Sequence, residues 1–478
     1  MRGQRWLVCK FRLGTAPILL ATVLAGCTSF SPDAGMGAVN GVIAPELKTG
    51  ALKISTDEAA GEAVVRTREL LKSTLSADGA VRIALLNNKG LQAAYNELGI
   101  AEAVMVEASL PPNPTFSLSH ISTPVELDIE SRIVANILAL ATLPARAEIA
   151  AERFRQAQLR AAEETLRVAM ETRRSYYRAI SALQVVALLE DAVSAAETSV
   201  KLAKELGETG AMNKLDQARE EAFHADLLIQ HAAARTSAAT KRERLIRAMG
   251  LSDVRFNMPR RLPALPRKPR TLLAVETEAL RRRVDVQIAR IELEVLAKTY
   301  GLTSVTRFIN LLDLSGVART QREAAGTGGT GGGAEVELQI PIFDFGEARL
   351  RQAGESYMQA VNRLSEQTIN VESQAREAYQ RYRSSYDIAA RYRSQVLPLR
   401  KTIADETMLR YGAMQIDVFS LLTEALRRIA ANIAAIEAQR DFRLAETNLD
   451  AAMLGGSIAD SETTARPMSN PADAAGNE

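Results

Sequence analysis

Side chains able to do chemistry are few in this chain and widely separated. Three histidines occur, His120, His224 and His231. His224 and His231 stand seven apart on one helix face, which would suit a shared metal ion. The acids around them, Glu220, Glu221 and Asp226, read more simply as a solvated surface, and no further ligand completes a site, so neither a metal nor a cofactor is expected. No serine lies in a nucleophile elbow and no carboxylate pair has a defined site, which argues against an enzyme. The glycine run Gly326-Thr327-Gly328-Gly329-Thr330-Gly331-Gly332-Gly333 reads as a loop between two strands, whereas a phosphate cradle must open a helix. Arg260, Arg261, Arg267, Lys268 and Arg270 are interleaved with Pro259, Pro263, Pro266 and Pro269, giving either a solvated linker or a contact for an adaptor or acidic groove. Asp216 and Asp417 follow two similar turns, Gly210-Ala211-Met212 and Gly412-Ala413-Met414. An aspartate so placed can cap the next helix by accepting its first free N–H groups.

Elements able to hold such residues in place need a core. The chain has 478 residues, 47% hydrophobic and 24% charged, enough to bury one and too polar for a polytopic helical membrane protein. Aromatic residues make up 5% and Trp6 is the sole tryptophan, too few for a base-stacking surface. Arg2, Arg5, Lys10 and Arg12 account for four of 59 basic residues against 57 acidic ones, so the rest of the chain is slightly acidic and no nucleic-acid partner is expected. Those cations precede the apolar run from Leu13 to Ala25, which is too short to span about 30 Å of hydrocarbon as a helix. Residues 1–26 therefore read as a signal peptide, and Leu24-Ala25-Gly26-Cys27 resembles a bacterial lipobox, which would make Cys27 the acylated first residue of the mature chain. Several acyl chains, at about 0.8 kcal/mol per buried CH₂, would hold it on a membrane leaflet, and Thr28 after the Cys, in place of Asp, points by analogy with bacterial lipoproteins to the outer membrane.

Residues 27–60, rich in Gly, Ala, Ser and Pro, read as an unfolded tether, and residues 457–478 as a disordered tail. Between them lie a first repeat (61–255), a proline-rich linker (256–270) and a second repeat (271–456). Val168, Thr172, Ser175, Ala179, Ala182, Val186, Leu189, Val193, Ala196, Val200 and Ala203 alternate spacings of four and three without a charge, a coiled-coil seam. Adding 203 reaches Val371, Ala375, Ala378, Tyr382, Ser385, Ala389, Tyr392, Val396, Leu399 and Ile403, again uncharged. Met249-Gly250-Leu251 likewise matches Leu454-Gly455-Gly456. The architecture is duplicated. In each half a short helix precedes a long one and another short helix follows it; two short helices end to end equal one long helix, which suits a tall wall better than a compact globule.

Strand character interrupts the helices at about 114–144 and 304–341. Glu335 to Ile340 alternates polar and apolar residues, and Thr115 to Ser119 and Leu127 to Glu130 do so more briefly, giving four strands in two hairpins. Four strands cannot span a bilayer alone, because their open edges would leave backbone groups unpaired in hydrocarbon. A barrel would have to be shared between chains, and three copies supply twelve strands.

These residues resemble the TolC-like outer-membrane channel family, in particular its lipidated efflux branch, over about Leu75 to Gly456. The resemblance is carried by Asn88-Lys89-Gly90-Leu91-Gln92-Ala93-Ala94, by the strand-to-helix motif Pro341-Ile342-Phe343-Asp344-Phe345-Gly346, and by Arg410-Tyr411-Gly412-Ala413-Met414 with Leu421-Leu422. It implies a mainly α fold with a small β part: a trimeric α-helical barrel of long antiparallel coiled coils joined to a shared 12-stranded transmembrane β-barrel. It also implies a homotrimer in the outer membrane, a periplasmic adaptor protein and an inner-membrane pump as partners, and a passive export duct opened at its coiled-coil tips. The tips, Gly210 to Asn213 and Gly412 to Gln415, would meet the adaptor. Some members carry two aspartates per protomer at the constriction; here Asp417 is present but Ser420 stands three residues on. Asp216 and Asp417 are then either rings of three carboxylates narrowing a cation-favouring pore or helix caps. The alternative from a different class is a lipid-anchored coiled-coil scaffold or adhesin without a pore.

Overall fold

The computed structural model describes residues 30–124, 126–252, 254–323, 326 and 328–455; the leader, Cys27, Gly456 and the tail lie outside the described residues. The chain forms two compact units. One contains Gly99–Phe154 and Gly301–Leu350, and the other is built from Gly35–Leu98, Arg155–Tyr300 and the chain from Arg351 on.

Element order repeats between the halves. In the first, α1 (Met36–Leu47) and α2 (Asp57–Lys72) precede α3 (Ala77–Asn87), α4 (Lys89–Ser109), strands β1 (Thr115–Ser122) and β2 (Glu126–Asn136), the short α5 (Ile137–Ala141), the 66-residue α6 (Leu143–Glu208) and α7 (Lys214–Ala248). In the second, α8 (Val275–Arg282) and α9 (Val284–Thr306) precede β3 (Leu311–Glu323), β4 (Gly328–Gln339), α10 (Glu347–Arg391), a π turn at Tyr392–Val396, α11 (Leu397–Gly412) and α12 (Val418–Leu454). Two breaks divide the leading helices of the halves, at Asn88 and at Arg283. Both are held from the returning helix of the same half: the Asn88 side chain donates to the Ala248 carbonyl (3.2 Å) and Arg283 to that of Ala452 (3.3 Å). Two residues after the first carbonyl and three after the second come Gly250 and Gly455, both at positive φ. A Cβ on Gly250 would lie 2.6 Å from the Asn87 carbonyl group, and one on Gly455 3.0 Å from Asp285. Only glycine allows this approach at this φ.

The first seam is buried along its length at Val168, Thr172, Ser175, Ala179, Ala182, Leu189, Ala196 and Ala203, and the second at Val371, Ala375, Ala378, Tyr382 and Ala389. Beyond the π turn the second seam opens, with Leu399 and Ile403 exposed. The turn takes up one extra residue and rotates the following helix relative to a strict heptad.

Two sequence expectations fail here. Residues 27–60 are not an unfolded tether throughout, since α1 forms within them and buries Met36, Val39, Ile43 and Leu47. Their three- and four-residue spacing is a helical stripe that the Gly- and Ala-rich composition hides. The stretch between α1 and α2 is also held: Asn40 exchanges hydrogen bonds with Ala51 (2.8 and 3.1 Å), Gln92 accepts from Ile54 N–H (2.9 Å), and Glu46 pairs with Arg282. The second failure concerns the glycine run. Gly328 to Gly333 are not a loop but the first half of β4, paired residue by residue with Arg322 to Val317. β3 presents a continuous ladder of backbone donors and acceptors, and glycine can answer it as well as any residue can.

The linker 256–270 has no helix or strand, yet its backbone is pinned. Asn257 C=O accepts from Leu75 N–H (2.9 Å), Leu262 N–H donates to Gln184 (3.1 Å), Pro263 C=O accepts from Gln439 (2.8 Å), Arg267 C=O from Tyr386 (2.9 Å), and Arg270 N–H donates to Tyr382 (2.9 Å). With Phe256 and Leu262 buried in a core of Leu75, Ile83, Tyr176 and Leu245, the linker is a strap laid across α6, α10 and α12.

Candidate functional site

The four strands form one antiparallel sheet in the order β1-β2-β3-β4, so the two hairpins join through β2 and β3 and neither outer edge pairs with another described strand. The register sorts side chains onto two chemically different faces. Phe116, Leu118, Ile129, Ile133, Leu314, Val336 and Leu338 share one face by the pairings Phe116↔Ile133, Leu118↔Ser131 and Leu314↔Val336, and all seven are exposed. The other face carries Asp128, Glu130, Arg132, Arg319, Glu335 and Glu337, tied by Arg319 to Asp128 (Nε to Oδ1, 3.0 Å) and by Arg132 to Glu335 (3.1 Å). β2 and β3 are 11 and 13 residues long, sufficient to cross a bilayer when tilted. An apolar face left open to solvent, a charged face behind it and two unpaired edges suit a sheet completed by further copies in lipid.

The motif Pro341 to Gly346 makes the turn from β4 into α10. Phe345 N–H donates to Pro341 C=O (2.8 Å), and the Asp344 carboxylate accepts from Gly346 N–H (3.0 Å). Gly346 has φ +73°, and a Cβ there would lie 2.2 Å from the Arg307 carbonyl oxygen. That carbonyl also accepts from Arg349 (3.0 Å), so the turn is locked against the end of α9. Phe343 is 98% exposed, and Ile340, Ile342, Phe345 and Phe308 are exposed beside it. Together these residues form an apolar rim at the end of the sheet.

At the tips, helix α6 turns into α7 and α11 into α12. Gly210 (φ +76°) and Met414 (φ +59°) hold the left-handed position of each turn. Ala211 N–H donates to Leu206 C=O (2.8 Å) and Gln415 N–H to Arg410 C=O (2.9 Å). The structurally equivalent residues are thus 204 apart, and the identical triplets Gly210-Ala211-Met212 and Gly412-Ala413-Met414, 202 apart, are out of register by two. Met414, 94% exposed, stands where the first tip has Gly210. The same offset relates the caps. Asn213, not Asp216, caps α7 by accepting from Asp216 N–H (2.8 Å), and Asp216 instead receives Asn213 Nδ2 (2.8 Å) and Arg219 (3.1 Å). Asp417 caps α12 by accepting from Ser420 N–H (3.0 Å) and Oγ (2.6 Å). The Ser420 hydroxyl and N–H, with Arg219 nearby, hold the Asp417 carboxyl below the usual carboxylate range. Asp417 is therefore the counterpart of Asn213, and Ser420 of Asp216. Arg219 also lies 5.3 Å from the Phe419 ring centroid, so the two returning helices start side by side.

Glu220 and Glu424, again 204 apart, are buried on the returning helices, against the solvated surface that the sequence suggests for Glu220. Glu220 accepts from Ser199 (2.9 Å); Glu424 pairs with Arg400 (3.2 Å). The signal was available in their shared position, seven residues after the two caps. Of the cations on the strap, Arg270 is engaged, with Asp450 (3.0 Å), Glu446 (3.7 Å) and the Tyr382 ring. His120 lies on β1, whereas His224 and His231 share α7; among the described residues no cluster of three His, Cys, Asp or Glu side chains could hold a metal ion.

No family model and no curated protein sequence matches this chain. Solved structures do. CusC, described in terms of folding and transmembrane channel formation, superposes with a TM-score of 0.68 at 15% identity, over 80% of this chain and 92% of that one. The outer-membrane channel OprN gives 0.67 at 18% identity, over 80% and 90%. The MtrE outer membrane channel of Neisseria gonorrhoeae, in its open state, gives 0.65 at 17% identity, over 82% and 89%. The chain has the fold of these channel proteins.

Proposed function

We propose that the protein is the outer-membrane channel of a tripartite efflux system: a passive homotrimeric duct, lipid-anchored through Cys27, that docks a periplasmic adaptor protein and an inner-membrane pump and opens at its tips. The observation that carries this reading is the sheet. Its apolar face is exposed, its charged face lies opposite, and neither outer edge pairs with another described strand. Three copies close twelve strands into a barrel with lipid outside and water within, satisfying every edge. A lipid-anchored scaffold would have no use for such a sheet, and the fold shared with outer-membrane channels points the same way.

At the tips, Gly210, Ala211 and Met212 with Gly412, Ala413 and Met414 are the proposed adaptor contacts. Asp417, charged at neutral pH as well as capping, would place a ring of three carboxylates there, with Asp216 adding to it. Energy and substrate choice then rest with the pump. The test is extraction and conductance: the full-length protein should be released from outer membranes by detergent only, run as a heat-dissociable trimer, and conduct ions in planar bilayers. A water-soluble, non-conducting monomer would refute the reading.

A further inference from the structure

Among the described residues, most arginines of the strap's surroundings have acidic partners: Arg270 with Asp450 and Glu446, Arg440 with Asp441, Arg443 with Glu446, Arg282 with Glu46. Five cations on the strap and at its entry do not. Arg255, Arg260, Arg261, Arg267 and Lys268 are exposed, and no ion pair joins any of them to a described residue. They are not the loose charges of a mobile linker. The strap's peptide groups at Asn257, Leu262, Pro263, Arg267 and Arg270 are bonded inward to neighbouring elements, so the backbone is fixed while these side chains stand outward. Holding Arg260 beside Arg261 and Arg267 beside Lys268 on a pinned backbone, with no internal counter-charge, carries a repulsion that folding does not require. In the duct proposed above, this layer over the long helices would lie on the outside, because the inside must stay open to cargo.

We propose that this strap is a docking surface for the anionic polymer of the cell wall, whose peptide stems bear free carboxylates. The proposal rests on the periplasmic duct reading above. In a trimer the five cations become a girdle of outward charge facing every direction. Such a girdle matches a mesh that surrounds the duct better than it matches an acidic protein docked at one side, and better than the adaptor, which meets the far ends of the helices. Exposed charges of this kind set encounter and salt dependence, and they act over a screening length of about 10 Å at ~0.1 M salt and about 3 Å at ~1 M.

The experiment is co-sedimentation of the full-length, detergent-solubilised protein with isolated peptidoglycan sacculi, using native sacculi and sacculi whose carboxylates have been amidated. The wild type should pellet with native sacculi at low salt, release as salt rises, and fail to pellet with amidated ones. The quadruple variant Arg260→Gln, Arg261→Gln, Arg267→Gln and Lys268→Gln should bind roughly tenfold more weakly while trimer formation and conductance stay at wild-type levels. Equal sedimentation of the variant, or undiminished binding to amidated sacculi, overturns the proposal. A wild type that forms conducting trimers but does not pellet overturns it alone, whereas strap-dependent pelleting by a non-conducting protein overturns the duct reading instead.

Discussion

Replacing Gly346 by alanine tests how the four-stranded sheet is joined to α10. At φ +73° a residue with a Cβ costs about 1–2 kcal/mol relative to glycine. The added Cβ would also fall 2.2 Å from the Arg307 carbonyl oxygen, far inside contact distance, and the obstacle is backbone at the end of α9, held in turn by Arg349. Relieving that contact means shifting the junction, at about 1–3 kcal/mol for an overpacked site. The sum, about 2–5 kcal/mol, should lower the temperature at which the proposed trimer dissociates on a denaturing gel by several degrees and reduce the folded yield. Gly354→Ala is the control. Gly354 lies inside α10, where a Cβ would meet only the Tyr300 ring at 3.5 Å, so alanine should be neutral or stabilise by up to about 1 kcal/mol. Equal dissociation temperatures for Gly346→Ala and wild type would refute the account of this turn.

Asp417 should show two separable roles: Asp417→Asn retains a neutral capping side chain and should lower the dissociation temperature of the proposed trimer less than Asp417→Ala does, while both change conductance and cation preference. Because the carboxyl of Asp417 is shifted down in the folded chain, its contribution to stability is complete at neutral pH and is lost as pH falls below the ordinary aspartate range of about 4 through the lowered value, which a pH series of thermal melts on wild type and Asp417→Ala would read. Burial holds the Asp450 carboxyl above its usual range despite Arg270, so Arg270→Gln should destabilise by about 1–2 kcal/mol after allowance for the partial exposure of Arg270, and adding Asp450→Asn should recover part of the loss in a double-mutant cycle. Met414→Gly should remove left-handed strain of about 1 kcal/mol and raise the dissociation temperature, yet weaken adaptor binding in a pull-down if this exposed methionine is a contact; unchanged binding would exclude it from that role.

Period alone made the halves legible: an uncharged seam with four-three spacing repeats because helices must bury one stripe, and burial follows that stripe from Val168 to Ala203 and from Val371 to Ala389. Alternation in Glu335 to Ile340 likewise announced a sheet with unlike faces. Where composition stood in for period, the reading failed. The stripe at Met36, Val39, Ile43 and Leu47 was hidden among small residues, and a strand made largely of glycine is visible only through the partner strand that pairs with it.

What the sequence determined, then, was what strong local periodicity sets: two repeats of helices, two hairpins, and a sheet that one chain cannot close. What tertiary structure decided were relationships between segments far apart in sequence. Identical letters placed the two tips 202 residues apart, but hydrogen bonds place them 204 apart, putting Met414 where Gly210 would be expected and making Asp417 the partner of Asn213. Backbone geometry is matched by conformation and not by side-chain name, so a methionine can fill a glycine's position when surrounding bonds hold it there. The same reason separates Arg270, which finds Asp450 across 180 residues, from neighbours in the same basic run that find no acid among the described residues.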